Sequence, residues 1–335
     1  MSVTIGDVAR LAGVGRGTVS RVLNERANVG ENTRTRVLAA IAELDFVPSE
    51  AARRLSLKRT KTVAVILPFL TRPSAVERLR GVEAALVKAG YDMIVFNVET
   101  VERREVVFRD LPRRERVDGL IIISLSPHED ELERIQRVGL PAVLVDAHHR
   151  ALPRVVADDV LGGRIACRHL IALGHRRIGF LGDIPRTTLA FTSSRLRLSG
   201  VRREIAGAGL TLPPSLVAIG DHSRRRATEL ATRMLTTRLP PTAILCASDT
   251  QAAGVLEAAA GLGLNVPGDL SVTGYDDLEL ADHLGLTTVR QPLLESGVRA
   301  VERLLGMVDG GPTGTLREVQ PISLVVRRST ASPLS

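Results

Sequence analysis

The sequence predicts an all-α helix-turn-helix headpiece joined to an α/β core of two doubly wound, parallel-sheet lobes. Three observations predict it. Residues 4–24, TIGDVARLAGVGRGTVSRVLN, carry apolar side chains at helical spacing on both sides of a small-residue turn. From Thr62 onward, apolar runs of four or five residues alternate with longer helical stretches, the pattern of strands covered by helices on both faces. Alternation sustained over roughly 270 residues exceeds one comfortable sheet, so the core divides in two.

In the headpiece, Ile5, Val8 and Leu11 recur at helical spacing, and Ala9 and Ala12 widen that apolar face. Ala12-Gly13-Val14 makes the turn, where Gly13 can adopt the positive φ that closes the first helix. Val19, Val22 and Leu23 give the second helix its buried stripe. Arg16, Thr18, Ser20, Arg21 and Asn24 remain on the other faces. A short helix with a cationic, polar outer face on a packed partner has the geometry of a major-groove reader. A third helix fits residues 31–44, capped by Asn32 or Thr33, with Val37, Ile41 and Leu44 on one face. Pro48 stops the preceding helix, and Ser49 opens the segment SEAARRLSL. That segment is shorter than the ~12–15 residues an isolated helix needs in water. It is expected to order only against a copy of itself or another surface. A basic linker, KRTK, follows at 58–61.

Charge points the same way. Of the net +8, residues 1–62 hold eleven cations against six anions, an excess of five. Positive charge concentrated in a small domain is an electrostatic footprint for a polyanion. The expected organisation is therefore a headpiece over 1–48, a hinge and linker over 49–61, and a core over 62–335. Lobe 1 is expected at about 62–157 and 290–320, lobe 2 at about 158–289 and 321–335.

Core strands are expected at Val63–Leu67, Met93–Phe96, Leu120–Ile123, Ala142–Val145, Ile178–Leu181, Ala243–Cys246 and Leu270–Thr273. Helices fit 74–90, 102–116, 128–139, 159–174, 194–209, 223–238 and 249–263. Ligands of such folds sit at the carboxyl ends of the strands. The polar and aromatic candidates there are Phe69, Ser74, Ser124, Asp146, His148, Ser193, Arg197, His222, Ser248 and Asp276. Structural roles compete nearby. Asp249 is expected to cap the helix it opens, Asp277 to pair with an arginine, and His175 to make a local backbone contact.

Several classes are excluded. Cys167 and Cys246 cannot staple a chain of this length, so buried free thiols in a reducing, cytoplasmic setting are expected. No run approaches the ~20 apolar residues that span a bilayer, and no N-terminal apolar export segment is present. No Gly-x-Gly-x-x-Gly follows a predicted strand, no nucleophile–base pair stands out, and the seven histidines form no metal-ligand spacing. No catalytic residue, cofactor or metal is expected.

Four stretches together resemble the LacI/GalR family of bacterial transcriptional repressors. They are residues 4–24 quoted above, LDFVPSEAARRL at 44–55, LGHRRIGFLG at 173–182 with SSRLRLSGV at 193–201, and ASDTQAAGVLEAAAGLGLNVPGDLSVTGYDD at 247–277. The resemblance implies a core similar to periplasmic sugar-binding proteins, a homodimer or larger assembly, a near-palindromic double-stranded operator and a small-molecule effector. It matches Arg16 and Gly17 to the positions that vary with operator sequence, and Arg21 to a third base-reading position. Thr4, Ser20, Asn24, Asn28 and Thr33 match phosphate contacts. Leu55 matches a leucine wedged into the minor groove, with Ala52 and Arg53 beside it. The chemistry agrees, because hydroxyls and amides fix register while a guanidinium reads guanine bidentately. Gly17 has no side chain to read with and permits close approach.

The resemblance also marks Arg197 and Asp276 as the strongest effector contacts. Where many members have aromatics, this chain has Pro73-Ser74-Ala75 and His222, and it lacks Trp altogether. Only Phe69 and Phe191 are placed to offer a ring. A sugar-like effector is favoured, with a nucleoside, polyol or phosphorylated metabolite as alternatives. A sugar-binding protein without DNA regulation, or a regulator controlled by a partner protein, are the alternative functions. Arg16→Ala should cost ~1–3 kcal/mol and relax one G·C position in an operator-variant binding series. Uniform weakening across all variants would contradict base reading.

Overall fold

The computed structural model describes all residues except 1–2, 24–27, 47–58, 114–115, 184–188, 190–191, 313 and 335. Asn24, the hinge segment with Ala52, Arg53 and Leu55, and Phe191 therefore lie outside the described residues. The chain divides into two compact units, Met1–Thr60 and Lys61–Ser335.

In the first unit, α1 (Ile5–Ala12), α2 (Arg16–Leu23) and α3 (Glu31–Glu43) enclose Val8, Ala9, Ala12, Val19, Val22, Val37 and Ala40. Thr4 and Asp7 lock the start of α1. The Thr4 N–H donates to the Asp7 carboxylate at 3.0 Å and the Thr4 hydroxyl at 2.6 Å. Gly13 takes φ 64° as the turn requires. Two details differ from the sequence expectation. Leu11 is 46% exposed, because the buried face runs through residues 8, 9 and 12. Helix α3 starts at Glu31 behind Gly30, so Asn32 and Thr33 lie inside the helix and do not cap it.

The second unit holds two six-stranded sheets. In chain order the elements are β1 (Thr62–Leu67), α4 (Pro73–Lys88), β2 (Asp92–Asn97), α5 (Val101–Asp110), β3 (Gly119–Ile123), α6 (Glu129–Val138), β4 (Ala142–Val145) and β5 (Arg154–Ala157). They continue with α7 (Asp159–Ala172), β6 (Ile178–Gly182), α8 (Ser193–Gly207), β7 (Val217–Ile219), α9 (Arg224–Leu235), β8 (Ala243–Cys246) and α10 (Asp249–Gly261). The last are β9 (Ser271–Asp276), α11 (Glu279–His283), β10 (Thr287–Arg290), α12 (Leu293–Val308), β11 (Arg317–Gln320) and β12 (Ser323–Val325).

The sheet orders are β11-β5-β4-β3-β1-β2 and β12-β10-β9-β8-β6-β7. Each contains the doubly wound 2-1-3-4-5 order, with its switch point between the first and third strands. Lobe 1 is wholly parallel, whereas β12 pairs with β10 antiparallel, a departure from the all-parallel expectation. The chain passes between the sheets three times: from β5 to β6, from β10 to β11, and from β11 to β12. Continuous apolar strands such as Val63–Leu67 and Leu120–Ile123 are buried on both faces, as parallel sheets require. Helix α5 ends at Asp110, not 116, because Pro112 cannot continue it. Cys167 and Cys246 are buried free thiols, and burial raises the Cys167 pKa to about 12. No helix among the described residues is long and apolar enough to cross a membrane.

Each lobe contains a tight helix crossing built on glycine. A Cβ at Gly81 of α4 would overlap the Leu294 carbonyl of α12, and one at Gly297 of α12 would overlap the Arg78 carbonyl of α4. Lobe 2 repeats the device, with Gly163 of α7 against the Arg197 carbonyl and Gly200 of α8 against the Val160 carbonyl. The two carbonyls met by Gly297 and Gly163 belong to Arg78 and Arg197, whose side chains enter the cleft between the lobes.

Candidate functional site

The headpiece presents α2 as its polar face. Arg16, Gly17 and Arg21 are exposed, while Thr18 and Ser20 are half-buried above Val19 and Val22. Thr4 and Asn28 are exposed and Thr33 is half-buried. The Arg16 guanidinium lies beside Gly6 of α1, where a Cβ would come within 3.0 Å of Nη2. Gly6 thus leaves room for the arginine against the neighbouring helix.

In the core, the strand ends of both sheets meet at a polar cleft that is open to solvent. Lobe 1 contributes Pro68, Arg72, Ser74, Ala75, Arg78, Ile123, Ser124 and Asp146. Lobe 2 contributes Asp183, Ser193, Ser194, Arg197, His222, Ala247 and Asp276, and Gln291 joins from the passage between β10 and α12. Five non-glycine residues at the strand ends take positive φ: Phe69 (50°), Ser124 (54°), Asp146 (51°), Asp276 (113°) and Asp277 (58°). Such backbone costs of order 1–3 kcal/mol per residue and clusters where a site is held in a set geometry.

A polar chain crosses the cleft floor. Asp146 accepts from the Ser124 hydroxyl at 3.0 Å and from the Ser193 hydroxyl of the other lobe at 3.3 Å, and it pairs with Arg78 at 3.3 Å. Arg78 also donates to the Gln291 side-chain oxygen at 3.3 Å, and the Gln291 amide nitrogen donates to Asp276 at 2.5 Å. Arg197 Nη1 stands 3.9 Å from Asp276, Nε donates to Asp159 at 2.8 Å, and the guanidinium stacks 3.5 Å from the Tyr275 ring centroid.

Burial raises Asp159 to about 6 despite Arg197 beside it. Burial also raises Asp276, opposed by Arg197 and Arg78. Burial works against the Arg197 charge, yet Asp159, Tyr275 and Asp276 hold its pKa above the ordinary arginine value. Elsewhere in the lining, one Asp183 oxygen takes Arg72 at 3.3 Å and His222 at 3.2 Å. Burial would push Asp183 up, but His222 and Arg72 hold it below the usual carboxylate range.

Seven of the ten sequence candidates line this cleft: Ser74, Ser124, Asp146, Ser193, Arg197, His222 and Asp276. Three do not. Phe69 packs against the lobe 1 core, with the Arg72 guanidinium 4.5 Å from its ring centroid. The His148 N–H donates to the Ser126 hydroxyl, and burial lowers the pKa of its ring. Ser248 caps α10, accepting from the Gln251 N–H at 3.2 Å. The cap is therefore Ser248 and not Asp249, which is fully buried and accepts from Thr288 at 2.6 Å and the Leu278 N–H at 2.8 Å. His175 makes the expected local contact, its backbone N–H donating to the Leu170 carbonyl at 3.1 Å, and its ring adds long-range bonds to Thr242, Ser271 and the Ala331 carbonyl. Asp277 pairs with Arg290 and Arg327 as expected. Arg72, Arg78, Asp183, Ser194 and Gln291 are cleft residues that the sequence reading missed. Asp183 had a usable signal, since it directly follows an apolar strand, as Ser124 and Asp146 do.

A helical DNA-reading unit followed by a two-lobed core with a polar interlobe cleft defines a ligand-responsive regulator, a class without catalytic machinery. A model of bacterial regulatory proteins of the lacI family matches residues 4–49, and one of periplasmic binding protein-like domains matches residues 167–330. The chain is 35% identical over 334 residues to the ribose operon repressor of Escherichia coli (strain K12), covering 98% of this chain and 99% of that protein. It is 35% identical over 333 residues to the HTH-type transcriptional repressor PurR of Photobacterium profundum, covering 97% and 98%. A crystal structure of the lac repressor dimer bound to operator and the anti-inducer ONPF superposes with a TM-score of 0.87 at 30% identity, over 99% of this chain and all of that one. The chain belongs to the lacI family of bacterial regulatory proteins.

Proposed function

We propose that this protein is a cytoplasmic transcriptional repressor that binds a near-palindromic operator as a dimer, with its affinity set by a small polyhydroxylated molecule, most simply a sugar, held between the core lobes. The headpiece over 1–48 reads DNA through Arg16 and Arg21, with Thr4, Thr18, Ser20, Asn24, Asn28 and Thr33 on the backbone and Gly17 allowing close approach. Residues 49–61 form the hinge, in which Leu55 wedges the minor groove beside Ala52 and Arg53. The effector accepts hydrogen bonds from Arg197, donates its hydroxyls to Asp276 and Asp146, and exchanges hydrogen bonds with Ser74, Ser124, Ser193 and His222. The lobe division at about 157, 290 and 320 lets it bridge both halves.

The observation that carries this reading is the cleft floor, where Ser193, Asp146, Arg78, Gln291 and Asp276 form a hydrogen-bonded and ion-paired chain across both lobes. Such a surface offers donors and acceptors to vicinal hydroxyls. Among the described lining residues there is no Phe, Tyr or Trp, and the His222 ring is engaged by Asp183, which leaves little stacking surface for a nucleobase. A thermal-shift screen against sugars, polyols, nucleosides and phosphorylated metabolites, followed by operator anisotropy with each hit, tests it. A sugar that stabilises the protein should change operator affinity about 5–150-fold, the usual range of such coupling. A binder that leaves operator affinity unchanged would overturn the coupling.

A further inference from the structure

We propose that Asp183 is the charge selector of the cleft: a resident carboxylate that occupies Arg72 and His222 and so turns away effectors bearing a phosphate or carboxylate. The inference rests on the reading of the cleft as the effector site and adds to it the sign of the ligand.

Asp183 follows the carboxyl end of β6, and its N–H donates to the Ser194 hydroxyl at 3.1 Å, which fixes the residue in the cleft lining. One oxygen of its carboxylate receives Arg72 from lobe 1 and His222 from lobe 2. All three residues line the same cavity. A guanidinium and an imidazole converging on one point is the chemistry that receives an anionic oxygen. In this chain the anionic oxygen is built in.

The rest of the lining balances without it: Arg78 and Arg197 face Asp146 and Asp276. An incoming anion would have to displace the buried Asp183 carboxylate from its partners, or sit beside it against like-charge repulsion. A neutral polyol meets neither obstacle, because it can exchange hydrogen bonds with the same groups. Repulsive elements of this kind set specificity as much as attractive ones do.

Isothermal titration of the full-length protein with D-ribose, D-glucose, ribose 5-phosphate, glucose 6-phosphate and inorganic phosphate tests the assignment. The wild-type protein should bind a neutral sugar at least about ten-fold more tightly than its phosphate ester, and inorganic phosphate not saturably. In Asp183→Asn that preference should fall about ten-fold and inorganic phosphate should bind saturably. The gain should vanish in the Arg72→Gln, Asp183→Asn double variant, which separates a charge effect from a loosened loop. Asp183→Ser serves if the asparagine variant folds poorly. Equal binding of ester and parent sugar to wild type, or phosphate binding unchanged by Asp183→Asn, would overturn the proposal. If no sugar binds in either form, the sugar-effector reading fails, and the inorganic phosphate arm still decides the role of Asp183.

Discussion

Replacing Arg197 by alanine is expected to abolish the effector response and to lower the stability of the core by roughly 3–5 kcal/mol, the cost of stranding one member of a buried ion pair. The pair is Arg197 with Asp159, 2.8 Å apart and both nearly inaccessible to water. The same guanidinium donates to the Ala247 carbonyl at 2.5 Å and covers the Tyr275 ring, so alanine removes packing as well as charge. The loss should depend on pH with a definite sign. In the intact protein Asp159 already titrates at about 6, raised by burial and held down by Arg197. Without Arg197 its folded-state pKa rises further, so the folded state binds a proton that the unfolded chain has released. Stability then declines as pH rises from the unfolded carboxylate value toward the folded one. The penalty should be smaller at pH 5 than at pH 8 in urea titrations, and Asp159→Asn should recover part of it. An equal penalty at both pH values would show that Asp159 is not the stranded charge.

The elements that bear on this prediction were unevenly legible in the sequence. The headpiece was readable because its helices obey a simple apolar period around an obligatory glycine turn. Strands β1, β3 and β4 were readable because they are continuous apolar runs. Strands β7, β11 and β12 were not, because three or four residues at a sheet edge are too short a run, and in β11 and β12 too mixed, to carry a usable pattern. Helix α12 was missed for a different reason. Its buried face does carry a stripe at helical spacing, Leu293, Ala300, Val301 and Leu304, with Ser296 and Gly297 between them, and the reading passed over it. Cleft residues divide along the same line. Asp146, Arg197 and Asp276 stand at strand ends or in recognisable motifs. Arg78 reads as one more charge on a solvated helix face, and only the fold shows it to be 4% exposed and bonded to Gln291 and Asp146. Its one local sign is that it lies four residues after Ser74, on the same helix face. Ser248 shows the opposite error: a hydroxyl at a strand end has a helix to cap before it has a ligand to bind.

The glycine crossings carry the second large expectation. Gly163→Ala should destabilise the core by ~1–3 kcal/mol or more and reduce effector affinity, although residue 163 does not line the cleft. The added methyl would meet the backbone carbonyl of Arg197, and a carbonyl inside a helix cannot swing aside as a side chain would. Helices α7 and α8 must therefore separate, and with α8 goes the Cα that carries the cleft arginine. Its bonds to Asp159 and Ala247 are too short to absorb such a shift. Gly207→Ala is the natural comparison. It lies on the same α8, and nothing stands within 4 Å of its missing Cβ. There the substitution should be neutral or stabilising by about 0.5–1 kcal/mol, since alanine is the better helix former. Thermal denaturation of both variants, with effector titration of each, distinguishes a positional effect from a general intolerance of glycine loss. A Gly163→Ala protein that keeps both its melting temperature and its effector affinity would mean that the crossing yields more easily than its geometry implies, and that the arginine is positioned by its ion pair alone.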